Sequence, residues 1–299
     1  MNSTNILSIS VVIPIYNSEE TIRQCIESVR ASFSTISYQI IAVDDGSVDR
    51  SSQIVASLLS GPDRYLYQPN SGVARARNLG LAAASGSYIL FLDSDDMLLP
   101  SYEVELLKIF HPNVGMYSFA ASYQLHNRCT LTNSDHHLFK PLPLPFRIRI
   151  LNPLTTSGML IKSSLITQIG YFRPDFSPSE DWDYWIRAST ISKYIRHIPK
   201  PCVLYNAVTF GISKSMDLRS AQLKVSKQLY SYQLSEHIFR YLSTRACLFN
   251  HSLEDLRINR LNLSWSSFVL ALLLFLKHPF MLPYYMLVKG TIYLWNPLF

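Results

Sequence analysis

The sequence predicts an α/β fold in which a mostly parallel β-sheet is flanked by helices. In the first hundred residues, short apolar runs of strand length alternate with segments of helical periodicity, and each run ends at polar or turn-forming residues. Strands joined in this way by crossover helices are typical of parallel sheets. With 299 residues and 48% hydrophobic content, the chain can also bury a large core.

The first strand is predicted from "SVVIPIYN", an apolar run that ends at Pro14 and Asn17. A helix should follow, because apolar side chains then recur on one helical stripe. They are Ile22, Cys25, Ile26 and Val29. Asn17 and Glu20 have the spacing of a capping box, which predicts where this helix starts.

The same pattern continues along the chain. "YQIIAV" predicts a second buried strand that ends at Asp44 and Asp45, and "GSVDRSSQIVASLL" predicts a helix with Ser47 as its N-cap. "RYLYQ" and "YILFL" predict the third and fourth strands, and a helix should start after Gly72 between them. Strand and helix therefore alternate up to about residue 92.

The second half of the chain is less regular. "NVGMYSFAASYQLHN" predicts a strand, "LFKPLPLPFRIRILNPL" a proline-rich loop, "SGMLIKSSLITQIG" a strand leading into a helix, and "SEDWDYWIRAST" a short helix. Residues 217–260 have amphipathic helical periodicity. We predict one domain over residues 1–212, with halves at 1–100 and 101–212, and a helical region over 213–299.

Two acidic clusters follow predicted strands: Asp44 and Asp45 end the second, and Asp93, Asp95 and Asp96 follow the fourth. Parallel strands end at one edge of a sheet, where α/β proteins bind ligands, so both clusters should lie there. In an extended segment Asp93 and Asp95 would share a face, about 7 Å apart. This pair suits Mg²⁺ or Mn²⁺ on a substrate diphosphate, although a solvated turn would also contain such residues.

Four motifs together resemble the family 2 glycosyltransferases. They are "SVVIPIYN", "IIAVDDGSVD", "NSGVARARNLGLAAASGSYILFLDSDD" and "GYFRPDFSPSEDWDYWIR", in the order typical of that family, between about residues 8 and 190. The resemblance implies a GT-A-like catalytic domain over residues 1–212, with a nucleotide-sugar-binding half and an acceptor-side half. It also implies that a D-x-D motif holds a divalent metal on the donor's diphosphate.

By position, the resemblance assigns roles to individual residues. Asp95 would be the main ligand of a Mn²⁺ or Mg²⁺ ion, assisted by Asp93. Asp181 would be the catalytic base, with Glu180 and Trp182 on the acceptor side. The donor nucleotide would contact a larger set: Pro14, Tyr16 and Asn17 in the base pocket, Asp44 and Asp45, Asp93 near the ribose, and Arg77 and Asn78 beside the diphosphate.

Sugar transfer to a hydroxyl needs a base and a charge sink for the leaving diphosphate. Trp182 and Trp185 lie next to the acids, where they can raise a carboxyl pKa and offer a surface for stacking on a sugar, although a core position is favoured for either one. The acids could merely complement a helix N-terminus. One base opposite one metal-bound leaving group implies inversion. Many family members have a Tyr-Arg-x-His-like stretch whose histidine completes the metal shell, and here Asn206 and Val208 stand in the places of its Arg and His. The ion would therefore rely on Asp95, water and phosphate, or bind weakly.

Two other functions are compatible with such a fold. A non-catalytic nucleotide-sugar or glycan-binding protein would share it, but the presence of both Asp95 and Asp181 favours catalysis. A nucleotidyltransferase would carry a glycine-rich phosphate loop near the first strand, and "PIYNSEETIR" has no glycine.

The net charge of +6 is concentrated at the C-terminal end: residues 190–299 hold 13 Lys and Arg against 4 Asp and Glu, and residues 1–189 hold 14 against 17. The apolar run 265–276 is too short to span a bilayer. The tail, 261–299, is therefore predicted to lie on an anionic membrane surface or to pack on protein. Nucleic acid is not an expected partner, because no binding motif accompanies the charge.

The remaining features concern compartment and partners. The N-terminus lacks the basic start of a secretory signal, and the four cysteines match no metal-site spacing, as expected in a reducing compartment. We therefore expect a cytoplasmic protein, peripheral on the cytoplasmic face of the membrane. The family resemblance implies a nucleoside diphosphate sugar donor, with a UDP-sugar favoured, a glycan or lipid-linked acceptor, and a role in surface polysaccharide or glycoconjugate synthesis.

Overall fold

The computed structural model describes residues 7–125, 128–131, 152, 154–192, 195–206 and 225. Apart from Val225, these residues belong to one compact unit built on a nine-stranded sheet.

The first part of this unit alternates strand and helix as predicted. Its elements are β1 (Ser8–Ile15), α1 (Ile22–Ser32), β2 (Ser37–Asp44), α2 (Ser51–Leu58), β3 (Arg64–Tyr67), α3 (Val73–Ala83) and β4 (Tyr88–Phe91). Strand β1 lies between β2 and β4 and is parallel to both, and β3 extends the sheet beyond β2. Seven of the eight residues of β1 and all four of β4 are buried, because helices cover both faces of this sheet.

The second part adds the mixed half of the sheet. Its elements are β5 (Met97–Leu98), α4 (Tyr102–Ile109), β6 (Met116–Leu125), β7 (Arg128–Leu131), β8 (Leu160–Lys162), α5 (Ile166–Ile169), α6 (Glu180–Ile191) and β9 (Ile195–Asn206). The strand order is β3-β2-β1-β4-β8-β6-β9-β5, with β7 paired to β6. Strands β6 and β9 are parallel, whereas β8 is antiparallel to both β4 and β6.

A glycine sets the close contact between α3 and the sheet. A Cβ atom added at Gly80 would lie 2.3 Å from Cγ1 of Val12, so only glycine lets the helix approach β1 this closely. The contact fixes α3 against the strand whose end lies at the predicted ligand edge.

Both predicted helix caps are wrong. Helix α1 has Thr21 at its N-cap position, and Asn17 instead accepts a hydrogen bond from the Val48 amide at 3.0 Å. Helix α2 starts at Ser51, and the Ser47 hydroxyl accepts the Asn17 amide at 3.1 Å. The polar groups that looked like caps therefore join the loop after β1 to the loop after β2.

The α/β architecture is confirmed for the described residues, but strands β5, β7 and β9 and helix α4 were not predicted. The helices predicted over 217–260, the tail 261–299 and most of the proline-rich loop lie outside the described residues, and the domain boundaries stay predictions. Within the part that the structure describes, no helix is both long enough and apolar enough to cross a membrane.

Candidate active site

The carboxyl ends of β1, β2 and β4 meet at one edge of the sheet, as predicted. The Asp45 amide donates to the Ile15 carbonyl at 2.8 Å, and the Leu92 amide donates to the Val12 carbonyl at 3.1 Å. The Ser18 and Ser94 hydroxyls lie 2.7 Å apart. Both acidic clusters therefore lie at the same edge.

Asp44 and Asp45 are buried and hold the loops around this edge. Asp44 accepts hydrogen bonds from the Ser47 amide and the Tyr65 hydroxyl, both at 2.7 Å. Burial and this bond to Asp44 raise the pKa of Tyr65. Asp45 accepts three hydrogen bonds of 2.6 to 2.8 Å, from the Gln68 side chain and the amides of Ser71 and Gly72. It thereby fixes the loop that leads into α3.

The predicted base pocket is only partly open. Tyr16 is 51% exposed and Asn17 is exposed, so both can meet a ligand. Asn17 has a φ of 48°, in the left-handed region that asparagine tolerates better than most residues. Pro14, by contrast, is buried within β1. The predicted contact of Pro14 with a base therefore stays a prediction.

Residues 93–96, here called the acid turn, form a turn and not the extended segment that the sequence predicted. The Asp96 amide donates to the Asp93 carbonyl at 3.0 Å, so the side chains do not alternate as in a strand. Asp93 and Asp95 are partly exposed, whereas Asp96 is buried. Asp96 accepts hydrogen bonds from the Ser157 hydroxyl and, at 3.0 Å, from the Asn206 amide. Burial, and then the charges of Asp93 and Asp95, raise its pKa well above the ordinary range.

A buried arginine connects the acid turn to α6. Arg77 places Nη2 2.7 Å from Oδ1 of Asp93 and Nη1 2.8 Å from Oε1 of Glu180. Its side chain is 5% exposed, and its guanidinium lies 5.6 Å from the centre of the Phe172 ring. Burial acts to lower the pKa of Arg77, but the charges of Asp93 and Glu180 outweigh burial and raise it.

Asp181 follows Glu180 in the first turn of α6 and is held by three hydrogen bonds. Its Oδ2 accepts from the Asn152 amide group at 3.0 Å and from the Thr156 hydroxyl at 3.1 Å, and its Oδ1 accepts from the Trp182 amide at 2.7 Å. Burial, followed by the charge of Glu180, raises the pKa of Asp181 to about 6, while Arg77 acts in the opposite direction. The carboxyl group therefore keeps its proton to a higher pH than a solvated aspartate does.

Two family descriptions match this chain. Glycosyl transferase family 2 matches residues 10–160, and Glycosyl transferase family group 2 matches residues 88–298. The chain belongs to glycosyltransferase family 2. A similar protein, the uncharacterised glycosyltransferase YwdF of Bacillus subtilis, is 26% identical over 244 residues, which are 77% of this chain and 84% of YwdF.

Solved structures show that this glycosyltransferase has the GT-A fold. S. aureus TarS 1–349, solved in complex with UDP-GlcNAc, superposes with a TM-score of 0.63 at 20% identity, covering 82% of this chain and 72% of TarS. The mannosyltransferase PcManGT of Pyrobaculum calidifontis, in complex with GDP-Man and Mn²⁺, superposes with a TM-score of 0.61 at 14% identity, covering 97% and 88%. The predicted fold class and the prediction of an enzyme are confirmed, and the binding-protein and nucleotidyltransferase alternatives are set aside.

Four predicted site residues of the glycosyltransferase are buried or bonded to protein groups, so their predicted contacts with a substrate stay predictions. Trp182 is 2% exposed, so it is a core residue and offers no face for stacking on a sugar. Glu180 is buried and paired with Arg77, which removes it from direct contact with an acceptor. Both terminal nitrogens of Arg77 are bonded to carboxylates instead of facing a diphosphate. Asn78 exchanges two hydrogen bonds of 2.8 Å with the backbone of Phe172.

The acid turn of the glycosyltransferase suits a divalent cation only together with a substrate. No group of three His, Cys, Asp or Glu side chains among the described residues could hold a metal ion alone. Asp95 and the second oxygen of Asp93 are hard oxygen donors, and Mg²⁺ or Mn²⁺ commonly takes one or two carboxylates plus substrate phosphates. The charges of Asp93 and Asp95 already raise the pKa of Asp96, a repulsion that a cation would offset.

Sequence reasoning missed the polar residues that hold these acids. Thr156 and Asn152 bond to Asp181, and the Ser157 hydroxyl also accepts the Asp93 amide at 3.1 Å. The sequence carries no signal for them, because hydroxyl and amide residues occur in most loops. Asn206 belongs to the stretch that was compared with the family's histidine region, and its backbone amide bonds to Asp96 in the acid turn. Val208 of the same stretch lies outside the described residues.

Proposed function

We propose that this glycosyltransferase transfers a sugar from a nucleoside diphosphate sugar to a hydroxyl group of a glycan or lipid-linked acceptor, with inversion at the anomeric carbon. The observation that carries the proposal is the meeting of the acid turn and Asp181 at one edge of the sheet, joined through Arg77 and Glu180. The likeness to TarS, solved with UDP-GlcNAc, supports a UDP-sugar as donor.

Asp181 is the proposed catalytic base. A general base is most efficient when its pKa lies near the working pH, and the pKa of Asp181 is raised to about 6. Among the described residues, Oδ2 accepts two hydrogen bonds and Oδ1 accepts one. Each carboxylate oxygen has two lone pairs, so Oδ1 keeps one for the acceptor's proton.

The proposed reaction is a single displacement. The acceptor oxygen forms a bond to the anomeric carbon while the bond from that carbon to the diphosphate oxygen breaks, and the acceptor's proton passes to Asp181. The nucleoside diphosphate leaves with the electron pair of the broken bond. One base on the side opposite the leaving group produces inversion.

Asp95 and Asp93 are the proposed ligands of Mn²⁺ or Mg²⁺, which when bound supplies positive charge for the leaving diphosphate. Tyr16 and Asn17 would contact the nucleotide base. Asp44 would act indirectly, because its hydrogen bonds order the loops around the base. We also propose that the basic C-terminal third associates with an anionic membrane surface on the cytoplasmic side, in surface polysaccharide or glycoconjugate synthesis.

The test uses the full chain with UDP-, GDP- and dTDP-sugars and Mn²⁺. Donor binding is measured by thermal shift, because a ligand of the native state raises the unfolding temperature, and transfer is measured as release of the nucleoside diphosphate. Asp181→Asn should reduce transfer about 10²- to 10⁴-fold, the range typical of a lost general base, and leave UDP affinity unchanged.

Asp175→Asn is the matched control, since this exposed carboxylate precedes α6 and lies outside the site. It should transfer at the wild-type rate. Full activity of Asp181→Asn, or a wild-type protein that neither binds nor turns over any of these donors, would contradict the proposal.

A further inference from the structure

Arg77 occupies a position in the site that a ligand-binding role does not explain. We infer that Arg77 is a positioning residue, which holds the acid turn and the start of α6 at a fixed separation and does not bind the diphosphate. This inference rests on the proposed function, in which the two acidic groups act on opposite sides of one sugar.

The ion pairs of Arg77 join parts of the chain that are far apart in sequence. Asp93 is 16 residues from Arg77, and Glu180 is 103 residues away. Each carboxylate takes a different terminal nitrogen, at 2.7 and 2.8 Å. A guanidinium can hold two carboxylates at once because its donors lie in a rigid plane, which the single point charge of lysine cannot reproduce.

The helix that carries Arg77, α3, is itself held in place by two contacts. Gly80, one turn further along α3, packs on Val12 of β1, and Asp45 holds the loop that enters the helix. The bridge therefore starts from a rigid part of the sheet.

Glu180 transmits this position to the base, because Asp181 is the next residue of the same helix turn. Among the described residues, the second carboxylate oxygen of Glu180 is buried without a hydrogen-bond partner. Without Arg77, the buried carboxylate of Glu180 would have no opposite charge beside it, which is strongly destabilising. The start of α6 would therefore shift to bring this carboxylate towards water. A displacement of 1 Å at a catalytic group can cost about 100-fold in rate.

The experiment compares Arg77→Met, the double variant Arg77→Met with Glu180→Gln, and Arg75→Met as a matched control. Arg75 is an exposed arginine on the same helix. Arg77→Met should lower kcat about 100-fold. UDP with Mn²⁺ should bind within about threefold of the wild-type affinity by calorimetry, because Arg77 bonds to Oδ1 of Asp93 and the proposed ion would use the other oxygen. The double variant removes the uncompensated charge and should recover about tenfold of the lost rate. Arg75→Met should match the wild type.

A diphosphate ligand would behave differently: UDP affinity would fall at least tenfold, and Glu180→Gln would recover nothing. That result, or an unchanged kcat, overturns the inference. If Arg77→Met does not fold, Arg77→Lys replaces it. Lysine keeps the positive charge but cannot hold two carboxylates in the fixed geometry of a guanidinium, so kcat should still fall, by less than in Arg77→Met, at unchanged UDP affinity.

Crystal structures of the variants separate this inference from the proposed function. In Arg77→Met the distance between the Asp93 and Asp181 carboxyl groups should grow by about 1 Å or more. In the double variant it should return only in part, because the unpaired charge is removed but the bridge is still missing. An unchanged distance overturns the positioning role even if the enzyme is active. A changed distance in a protein that turns over no donor supports positioning and contradicts only the proposed function.

Discussion

Replacing Glu180 by glutamine should move the pH dependence of the glycosyltransferase in a defined direction. The pKa of Asp181 is raised from 3.8 to about 6 by burial first and by the charge of Glu180 second, while Arg77 opposes both. Glutamine keeps an oxygen that can accept the hydrogen bond from Arg77 but removes the negative charge. Burial remains and Arg77 acts unopposed, so the pKa of Asp181 must fall.

A like charge close to a carboxyl group commonly raises its pKa by about one unit or more, and one unit is about 1.4 kcal/mol. We take about one unit as the contribution of Glu180. At pH 5 the ionised fraction of Asp181 then rises from about a tenth to about a half, which predicts about a fivefold gain in relative kcat/KM at that pH. At pH 8 Asp181 is ionised in both proteins, so the pH effect disappears.

The assay is kcat/KM for sugar transfer between pH 4.5 and 8.5 at constant ionic strength, with each protein normalised to its own plateau at high pH. The acid limb of Glu180→Gln should lie about one pH unit below that of the wild type, and Asp175→Asn should leave the limb in place. An acid limb that stays or moves to higher pH would refute the electrostatic role given to Glu180.

Two predictions concern stability. Burial would raise the pKa of Glu103, but hydrogen bonds from the Ser34 hydroxyl and backbone amides lower it from 4.5 to about 2, so its stabilisation is present above pH 4.5 and is lost as pH falls through about 2. Glu103→Gln should therefore lose about 2–3 kcal/mol in urea unfolding at pH 7, and the exposed-site control Glu27→Gln should lose little. The raised pKa of Asp181 has the opposite sign: its contribution is present below pH 3.8 and is lost as pH rises through about 6. Asp181→Asn should thus gain about 1–2 kcal/mol at pH 8 and nothing at pH 3.5, and a loss at pH 8 would contradict this reasoning.

The elements that the sequence predicted best are those whose signal is local. Strands β1, β2 and β4 are apolar on both faces, and α1 carries one apolar stripe, so their periodicity suffices. The caps failed for a physical reason. Asn17 and Ser47 have the residue types of helix caps, but in the fold each has a nearer partner on the neighbouring loop.

Parallel topology placed the acid turn at the ligand edge of the sheet, whereas Asp181 was assigned only through the family resemblance. The roles of both stay predictions. The sequence could not show that Arg77 turns inward, because its second partner, Glu180, lies 103 residues further along the chain. Burial of Trp182 was equally hidden, since an aromatic residue beside an acid occurs both in sugar sites and in cores.

The hydrogen bond from the Asn206 amide to Asp96 bears on how this enzyme can be recombined with its relatives. Chimeras that exchange C-terminal regions between family members should keep the native chain through Asn206 and cross over only after it. A junction placed earlier would replace the strand end whose backbone amide bonds to Asp96, and we expect activity to fall even when the transplanted region itself folds.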